Sequence, residues 1–465
     1  MKRITYLCFT NDDFIRSCRN KHPVPLRLRL PKPEVSTQGN RNIHAGKRQC
    51  LRKDTAVSTQ GNSSFHVRKP EFHRLKLPFS KGETTVPKAG NRHGLKKKNR
   101  MKRSITIAGV RFRGNSLLLI FFLLLVLCVQ TVPGLGDAYA MYVYPSIARI
   151  LSSFSRLIPF AIGDLFIALS IAGILLYPVY ARCIRKQKWN RILLKDVKYL
   201  LWVYVWFYLA WGLNYSQKNF YERTRIPYTA YTPDNFRSFT DSYIENLNSS
   251  YTDITSVEKE LVCRESVRVY NQIGDSLGVH RPFHQTPRAK TMLFTPLISM
   301  VGVTGSMGPF FCEFTLNGDL LPSQYPATYA HELAHLLGIT SEAEANFYAY
   351  QVCTRSQVQA IRFSGYLSVL PHVLNNARWL MAEEEYAQLF RRIRPEIIGL
   401  AKKNSEYWMK KYNPAIGRIQ DRIYDLYLKG NKIESGRKNY SEVVGLLISY
   451  EEWKKNSIFA SIMFN

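Results

Sequence analysis

The sequence predicts a mainly α-helical protein, in which N-terminal transmembrane helices precede a mostly helical domain with a small strand and loop element. Apolar segments long enough to cross a bilayer lie only between residues 117 and 213. Further along, Val257–Ile273 and Pro395–Tyr412 carry apolar residues at helical spacing beside charged faces. Thr291–Phe311 is apolar, but its glycines and prolines favour a strand and a glycine-rich loop over another span.

Residues 1–113 are expected to form a basic, disordered, cytoplasmic leader. The first hundred residues contain 24 Lys and Arg against 6 Asp and Glu, and they show no helical or strand periodicity. A second interpretation is that translation starts at Met101, just before a short basic stretch and the first apolar segment. The formal charge of +31 comes with no nucleic-acid-binding motif, so no specific nucleic acid partner is expected.

Residues 114–215 are expected to form a membrane region with about three spans in the lipid bilayer. The candidates are Leu117–Leu135, Pro159–Tyr180 and Tyr199–Leu213. The first also fits a signal peptide, and the third, which is short and aromatic, also fits a buried amphipathic helix. Asp164 lies inside the second span, where an acid is expensive, so a transport role is an alternative.

The charges of the connecting loops predict the orientation of these spans. Two basic residues lie between the first and second spans, whereas seven, from Arg182 to Lys198, lie between the second and third. Loops with many basic residues stay in the cytoplasm. With three spans, the domain at residues 216–465 is therefore expected on the outer side of the membrane; with two spans it would be cytoplasmic.

The sequence His331-Glu332-Leu-Ala-His335 indicates a metal site on a helix. Histidines at positions i and i+4 lie on one face, so both imidazoles reach the same tetrahedral Zn²⁺. Glu332 is displaced around the helix and faces a water molecule on the metal, from which it takes a proton. Pro326 and Gly338 are placed where such a helix begins and ends.

A third zinc ligand is expected from the segment after Gly338. Glu342 and Glu344 are both candidates. Ser341 is predicted to cap the next helix with Glu344 as its capping-box partner, which favours Glu342 as the ligand and leaves Glu344 as the alternative. Asn346 lies one turn beyond Glu342 and is expected to orient a zinc ligand.

This pattern resembles the gluzincin metallopeptidases, in which His-Glu-x-x-His is followed by Glu-x-x-x-Asp or Asn. The resemblance implies that Glu342 binds zinc and that Asn346 supports a ligand, although Asp is more usual than Asn. It also implies a zincin-like domain, with the strand and loop element beside the motif helix. In the metzincin pattern the third ligand would fall at Ser341, a poor zinc ligand.

The chain also resembles the bacterial membrane-protein family called domain of unknown function 3810. The matching stretches are Trp211–Tyr215, Gly302–Gly305 with Pro309, Phe310 and Glu313, His331–His335 with Gly338, Glu342–Phe347, Tyr427–Asn431 and Tyr440. The resemblance covers about residues 115–455 and implies N-terminal membrane helices. The expected location is therefore a bacterial inner membrane, with several passes and the C-terminal domain on the periplasmic side.

The expected function is zinc-dependent hydrolysis of peptide bonds in a peptide or protein substrate, with Glu332 as the general base. Gly302–Gly305 is expected to be an edge strand near the metal or an ordinary buried strand, and Glu313 an acid of the metal site or a solvated residue. Tyr427 or Tyr440 is a candidate donor to an oxyanion. The alternatives are a non-catalytic zinc-binding sensor or scaffold, and a transport or assembly protein with structural histidines.

Overall fold

Helices dominate the structure, in agreement with the predicted class. The computed structural model describes residues 104–107, 110–431 and 442–463. The first helices are α1 (Gly114–Thr131), α2 (Tyr144–Arg156), α3 (Ile162–Cys183), α4 (Trp189–Ala210), α5 (Phe220–Thr224), α6 (Pro233–Ser250), α7 (Lys259–Ile273) and α8 (Thr295–Ser299). They are followed by α9 (Tyr325–Leu336), α10 (Glu342–Thr354), α11 (Gln359–Leu380), α12 (Glu383–Arg392), α13 (Pro395–Lys411), α14 (Pro414–Gly430) and α15 (Val443–Met463).

The strands of the described ranges form two small sheets. The first pairs β1 (Ser104–Ile107) with β2 (Val110–Arg113) in antiparallel fashion, at the end of the predicted leader. Residues 1–103 lie outside the described ranges. The second has the order β3-β5-β4, with β3 at Ala289–Thr291, β4 at Gly305–Gly308 and β5 at Glu313–Leu316. Of the predicted strand Gly302–Gly305, only Gly305 lies in a strand, the edge strand β4; residues 302–304 belong to the turn and loop before it.

Two helices in the described part of the chain, α1 and α3, are long and apolar enough to cross a membrane. Only 11% of the most apolar window of each is buried, so most of their apolar side chains face outward. Outward-facing apolar surface of this extent makes both helices candidate membrane spans. The third predicted span falls in the second half of α4 and the turn after it; α4 does not meet the same criterion, and its crossing stays a prediction.

The helices α3 and α4 pack side by side in opposite directions. Ser170 Oγ of α3 lies 2.6 Å from the Tyr199 hydroxyl of α4, and Lys195 Nζ of α4 donates to the Tyr177 hydroxyl of α3 at 2.7 Å. Because these pairs run in opposite chain directions, the start of α3 and the end of α4 lie at the same end of the bundle.

The helix α9 forms the centre of the C-terminal domain, and all of its residues are buried. It packs against α10, α11, β4 and β5. Its C-terminal end is held by side chains from α2 and from the turn after α4: Trp211 Nε1 donates to the carbonyl of His335 at 3.0 Å, and the Tyr144 hydroxyl to that of Leu336 at 2.7 Å. Since the last carbonyls of a helix have no partner within the helix, these contacts fix the end of α9.

Candidate metal centre

The helix α9 carries the His-Glu-x-x-His sequence and ends directly after it. Pro326 lies in the first turn, where a missing N–H leaves no helical hydrogen bond unmade. Gly338 has a φ of 95°, a left-handed conformation that lets the chain reverse into α10. A Cβ atom at residue 338 would also press against the ring of Tyr144, at 3.1 Å. This glycine therefore permits the short connection that returns the chain toward the two histidines.

Three buried side chains converge at this point. His331 Nε2 lies 3.0 Å from His335 Nε2, and Glu342 Oε2 lies 3.3 Å from the first nitrogen and 3.7 Å from the second. Ligands of a tetrahedral zinc ion, at about 2.0–2.1 Å from the metal, are about 3.3 Å from one another. The three atoms therefore have the spacing of three corners of a zinc tetrahedron.

The other nitrogen of each imidazole is held by an acceptor. His335 Nδ1 lies 2.6 Å from the carbonyl oxygen of Ile339, and His331 Nδ1 lies 2.8 Å from Asn346 Oδ1. Because these oxygens only accept, each Nδ1 carries the proton and each Nε2 presents a lone pair to the other ring. Two lone pairs facing each other repel unless a cation lies between them, and this use of the second nitrogen is typical of metal-binding histidines.

The electrostatics of the cluster also favour a cation. Burial lowers the pKa of His331, which favours the neutral ring. Burial alone would raise the pKa of Glu342, but its contacts with His331 and His335 hold that pKa below its ordinary value, so a buried negative charge is favoured beside a ring that prefers to be neutral. A divalent cation resolves this conflict, because it neutralises the buried carboxylate while both rings stay neutral.

Glu332 is fully buried, and neither of its carboxylate oxygens has a hydrogen-bond partner among the described residues. Burial first, and then the charge of Glu342, raise the pKa of Glu332 well above its ordinary value. Gly305, at the start of β4, makes room for this side chain, because a Cβ atom at residue 305 would collide with Glu332 Oε1. A buried carboxyl group without partners is costly, so a bound ligand or water molecule is its expected partner.

The structure places the two candidates for the third ligand, Glu342 and Glu344, in different surroundings. The Glu344 carboxylate pairs with Arg223, which also lies 3.4 Å from the Tyr348 hydroxyl. The backbone N–H of Glu344 donates to Ser341 Oγ at 3.3 Å, so Ser341 caps α10 as predicted. Glu342 instead faces the two histidines. Of the two candidates, Glu342 is the one that belongs to the cluster.

Two residues near the cluster were missed by sequence reasoning. The Tyr424 hydroxyl of α14 donates to Glu342 Oε1 at 2.8 Å. His372 of α11 is the second residue. Its burial, and to a smaller extent its interaction with His331, lower the pKa of His372 to about 4. The available signal for Tyr424 was its place one turn before Tyr427 on the same helix, and no local pattern marks His372.

Glu313 has surroundings that differ from both predictions made for it. It is buried, and it accepts hydrogen bonds from Lys290 Nζ at 2.5 Å, from Ser155 Oγ at 2.8 Å and from the backbone N–H of Gly163 at 2.5 Å. The predicted solvated role is therefore wrong. Its placement in the metal site is also wrong, because its carboxylate belongs to a separate ion pair with Lys290, a partner that lies in another strand of the sheet.

The two predicted oxyanion donors have different outcomes. Tyr427 is buried, and its hydroxyl oxygen accepts a hydrogen bond from the Tyr215 hydroxyl at 3.1 Å. The charge of Glu342 contributes to the raised pKa of Tyr427, after burial and Tyr215, which places Tyr427 in the neighbourhood of the cluster. Tyr440 lies outside the described residues.

The fold and the site define a mainly helical chain that has two candidate membrane helices and a buried His-His-Glu cluster with the spacing of metal ligands. The chain belongs to the family described as "Protein of unknown function (DUF3810)", whose profile matches residues 139–448. No curated protein and no solved structure shows significant similarity to it.

Proposed function

We propose that this chain is a membrane-anchored, zinc-dependent peptidase. The observation that carries the proposal is the cluster of His331, His335 and Glu342 at tetrahedral spacing beside Glu332, whose carboxylate has no hydrogen-bond partner within the described part of the chain. The order of these residues along the chain resembles that of the gluzincin peptidases. Zinc, when bound, would polarise the carbonyl of a peptide bond and acidify a water molecule.

Glu332 is the residue that would transfer the proton. It takes the proton as the water oxygen bonds to the carbonyl carbon, and it returns the proton to the amine nitrogen as the carbon–nitrogen bond breaks. A carboxylate of ordinary pKa is a weak base near neutral pH. The raised pKa of Glu332 makes this residue a stronger base, and its burial keeps bulk water from competing for the proton.

Neighbouring side chains would keep the zinc ligands in position. Asn346 accepts from His331 Nδ1 and so selects the tautomer whose Nε2 binds metal. Tyr424 donates to the far oxygen of Glu342 and leaves Oε2 directed at the histidines.

The edge strand β4 supports a peptide as the substrate. It begins at Gly305, directly beside Glu332, and it forms the edge of the sheet whose central strand is β5. An extended peptide adds to such an edge through backbone hydrogen bonds, which do not depend on its sequence. A substrate strand on β4 would bring its backbone to the general base.

The proposed location is a bacterial inner membrane, with α1, α3 and α4 as spans and the domain on the periplasmic side. The α3–α4 connection and the first half of α4 carry the cluster of basic residues, which favours the cytoplasm for that end of the bundle. The start of α3 and the end of α4 lie at the opposite end. The residues that follow α4, such as Trp211, contact α9 directly.

Replacing Glu332 by Gln tests the proposal. The full-length protein is reconstituted in vesicles with zinc and incubated with a fluorogenic peptide library, and zinc content is measured in parallel. The Glu332→Gln variant is expected to keep its zinc and lose cleavage, by at least about 100-fold. Cleavage by the variant at the rate of the unchanged protein would contradict the proposed role of Glu332.

A non-catalytic zinc-binding sensor or scaffold is the second candidate. The observation that favours it is the burial of the cluster, since His331, His335 and Glu342 are each at most 1% exposed. Structural zinc sites are closed, whereas catalytic sites keep one coordination position open. Zinc retained by both proteins, with no cleavage of the peptide library by either, would support this candidate.

A further inference from the structure

We propose that one face of α14 binds the surface of the lipid bilayer, with the helix lying in the plane of the membrane. The inference rests on the proposed membrane anchoring and extends it to the C-terminal domain. The face, termed here the apolar stripe of α14, consists of Ile416, Ile419, Ile423 and Leu426, which are 43%, 63%, 50% and 68% exposed. Four large apolar side chains in one exposed row mark an interaction surface.

The stripe is the outer side of an amphipathic helix. At 100° per residue, its four positions fall within roughly 80° of the helix circumference. Tyr424 and Leu428 lie on the buried side, roughly 120° and 160° from the middle of the stripe, and Tyr427 is buried at its edge beside Ile416. The exposed Arg422 and Arg418 lie beyond the other edge. An apolar row flanked by basic residues is the arrangement by which helices bind anionic lipid surfaces.

The start of α14 is attached to the region where α3 begins. The backbone N–H of Asn413, the N-cap of α14, donates to the carbonyl of Met300 at 2.8 Å. Met300 follows α8 and a segment whose Leu293 N–H donates to Asp164 Oδ2, in the first turn of α3, at 2.9 Å. Leu297 of α8 is 59% exposed, which extends the apolar surface from α14 toward this span.

The end of α14 is attached to the end of α4. The Tyr208 hydroxyl of α4 donates to Asn431 Oδ1 at 2.8 Å, directly after α14. The ring of Phe207 packs on the ring of Tyr427, with centroids 6.3 Å apart. Both ends of α14 are thus connected to the same end of the α3–α4 pair, so the helix lies across that end, where the bilayer surface is expected.

These connections decide between a lipid surface and a second copy of the chain as the occupant of the stripe. Hydrogen bonds connect the two ends of α14 to the region where α3 begins and to the end of α4. The neighbouring Arg418 and Arg422 match anionic headgroups, whereas two copies meeting at this face would bring like charges together. The stripe would then be buried roughly 5–10 Å into the boundary between headgroups and acyl chains.

A lipid-bound α14 also narrows the class of substrate. Tyr424 reaches Glu342 from the buried side of α14, so the helix itself and the Tyr424–Glu342 contact are what separate the metal ligands from the lipid. Peptide segments that lie on the membrane or emerge from it are therefore the substrates that reach this centre.

Lipid-attached quenchers test the proposal in the full-length protein. A fluorescent amino acid is introduced singly at Ile419 or Ile423, and the protein is reconstituted in vesicles of phosphatidylcholine and phosphatidylglycerol that carry nitroxide-labelled acyl chains. Leu175, exposed within α3, is the control for the bilayer interior, and Asp234, exposed at the start of α6, is the control for solvent. Quenching at Ile419 and Ile423 is expected to be severalfold stronger than at Asp234.

The controls separate the failure of this inference from that of the proposed anchoring. Strong quenching at Leu175 with only background quenching at Ile419 and Ile423 would overturn the α14 inference and leave the anchoring intact. Background quenching at Leu175 as well would overturn the anchoring. Fluorescence transfer between labels at Ile419 of two protein copies, without quenching by lipid, would identify a second copy as the occupant and also overturn the inference.

Discussion

Two buried ionic clusters lie in the same domain and differ in how their polar atoms are paired. In the first, the Glu313 carboxylate accepts from Lys290, Ser155 and a backbone N–H, and the Lys290 ammonium also donates to the carbonyl and the hydroxyl of Ser155. In the second, two imidazole nitrogens and one carboxylate oxygen converge, and neither oxygen of Glu332 has a hydrogen-bond partner in the ranges that the structure describes.

This difference distinguishes a structural cluster from a ligand-binding one. Burying charge is costly unless every donor and acceptor is paired. The Lys290–Glu313 cluster meets that condition with protein groups alone and connects β3 and β5 to the segments around α2 and α3. In the histidine cluster, no described residue is a hydrogen-bond partner of the Glu332 oxygens, and under the proposed function a cation and its water would supply what is missing. Burial alone therefore does not identify a functional site; the histidine cluster is singled out by the convergence of three potential metal ligands beside a buried carboxylate.

The largest expected effect is the loss of metal from the second cluster. His335→Ala removes one of three zinc ligands and should lower zinc affinity by more than about 100-fold, since loss of even a supporting residue costs about 10–100-fold. Metal analysis of the purified protein checks this. His280→Ala is the matched control, because that histidine bonds only to the Ala140 carbonyl in the described region and lies outside the cluster. Equal zinc content in the two variants would contradict the claim that the histidine cluster binds the metal.

Breaking the first cluster should affect stability instead of metal content. Lys290→Met leaves the buried Glu313 carboxylate without its cation and should lower the free energy of unfolding by about 3–5 kcal/mol. Chemical unfolding in detergent micelles measures the change, and zinc content should stay the same. The control is Lys402→Met, at a lysine whose side chain is 74% exposed. If the Lys290→Met variant were stable but had lost its zinc, the Lys290–Glu313 cluster would have a role in metal binding and not in stability.

The free energy of unfolding should depend on pH through the protonation of His372, which lies near the histidine cluster. Its pKa is about 4 in the folded chain against 6.5 ordinarily, so the unfolded chain takes up the proton first. The stability that depends on its neutral form is complete above pH 6.5 and is lost as the pH falls toward 4. His372→Gln should reduce acid destabilisation in that window by up to about 3 kcal/mol.

Unfolding curves recorded at several pH values measure this effect. His284→Gln is the matched control, because the lowered pKa of His284 arises from burial and from Arg156 and Arg149, not from the histidine cluster. If both variants showed the same pH profile as the unchanged chain, His372 would not lie in the environment described for it.

The smallest effect is expected when the hydrogen bond from Tyr424 to the third ligand, Glu342, is removed. Tyr424→Phe removes the hydrogen bond to Glu342 Oε1 and should weaken zinc binding about tenfold. Tyr427→Phe makes the same chemical change one turn later, where the hydroxyl bonds to Tyr215, and should leave zinc affinity unchanged. Competition with a chelator measures both constants. Equal weakening in the two variants would mean that packing of α14, not the bond to Glu342, is responsible.

The parts of the site that depend on local geometry were accessible from the sequence. The spacing of His331 and His335 fixes their common face through the helical repeat, and the left-handed turn at Gly338 needs a glycine wherever the chain folds. The helical class and the two most apolar helices also follow from local patterns of hydrophobicity.

The parts that depend on distant partners were not accessible. Glu342 and Glu344 both lie in the first turn of α10, and the choice between them is made by Arg223, which lies more than a hundred residues earlier and pairs with Glu344. Tyr424 reaches Glu342 from a separate helix. Glu313 was misassigned for the same reason, since its partner Lys290 is brought to it by the pairing of β3 with β5.

X-ray absorption spectroscopy of the zinc-loaded, full-length protein tests the central claim most directly. The expected spectrum has two imidazole nitrogens and carboxylate or water oxygens at about 2.0–2.2 Å from the zinc, and His335→Ala loses one imidazole. A first shell with sulfur, or one with oxygen alone, would contradict the assignment of the metal to His331, His335 and Glu342.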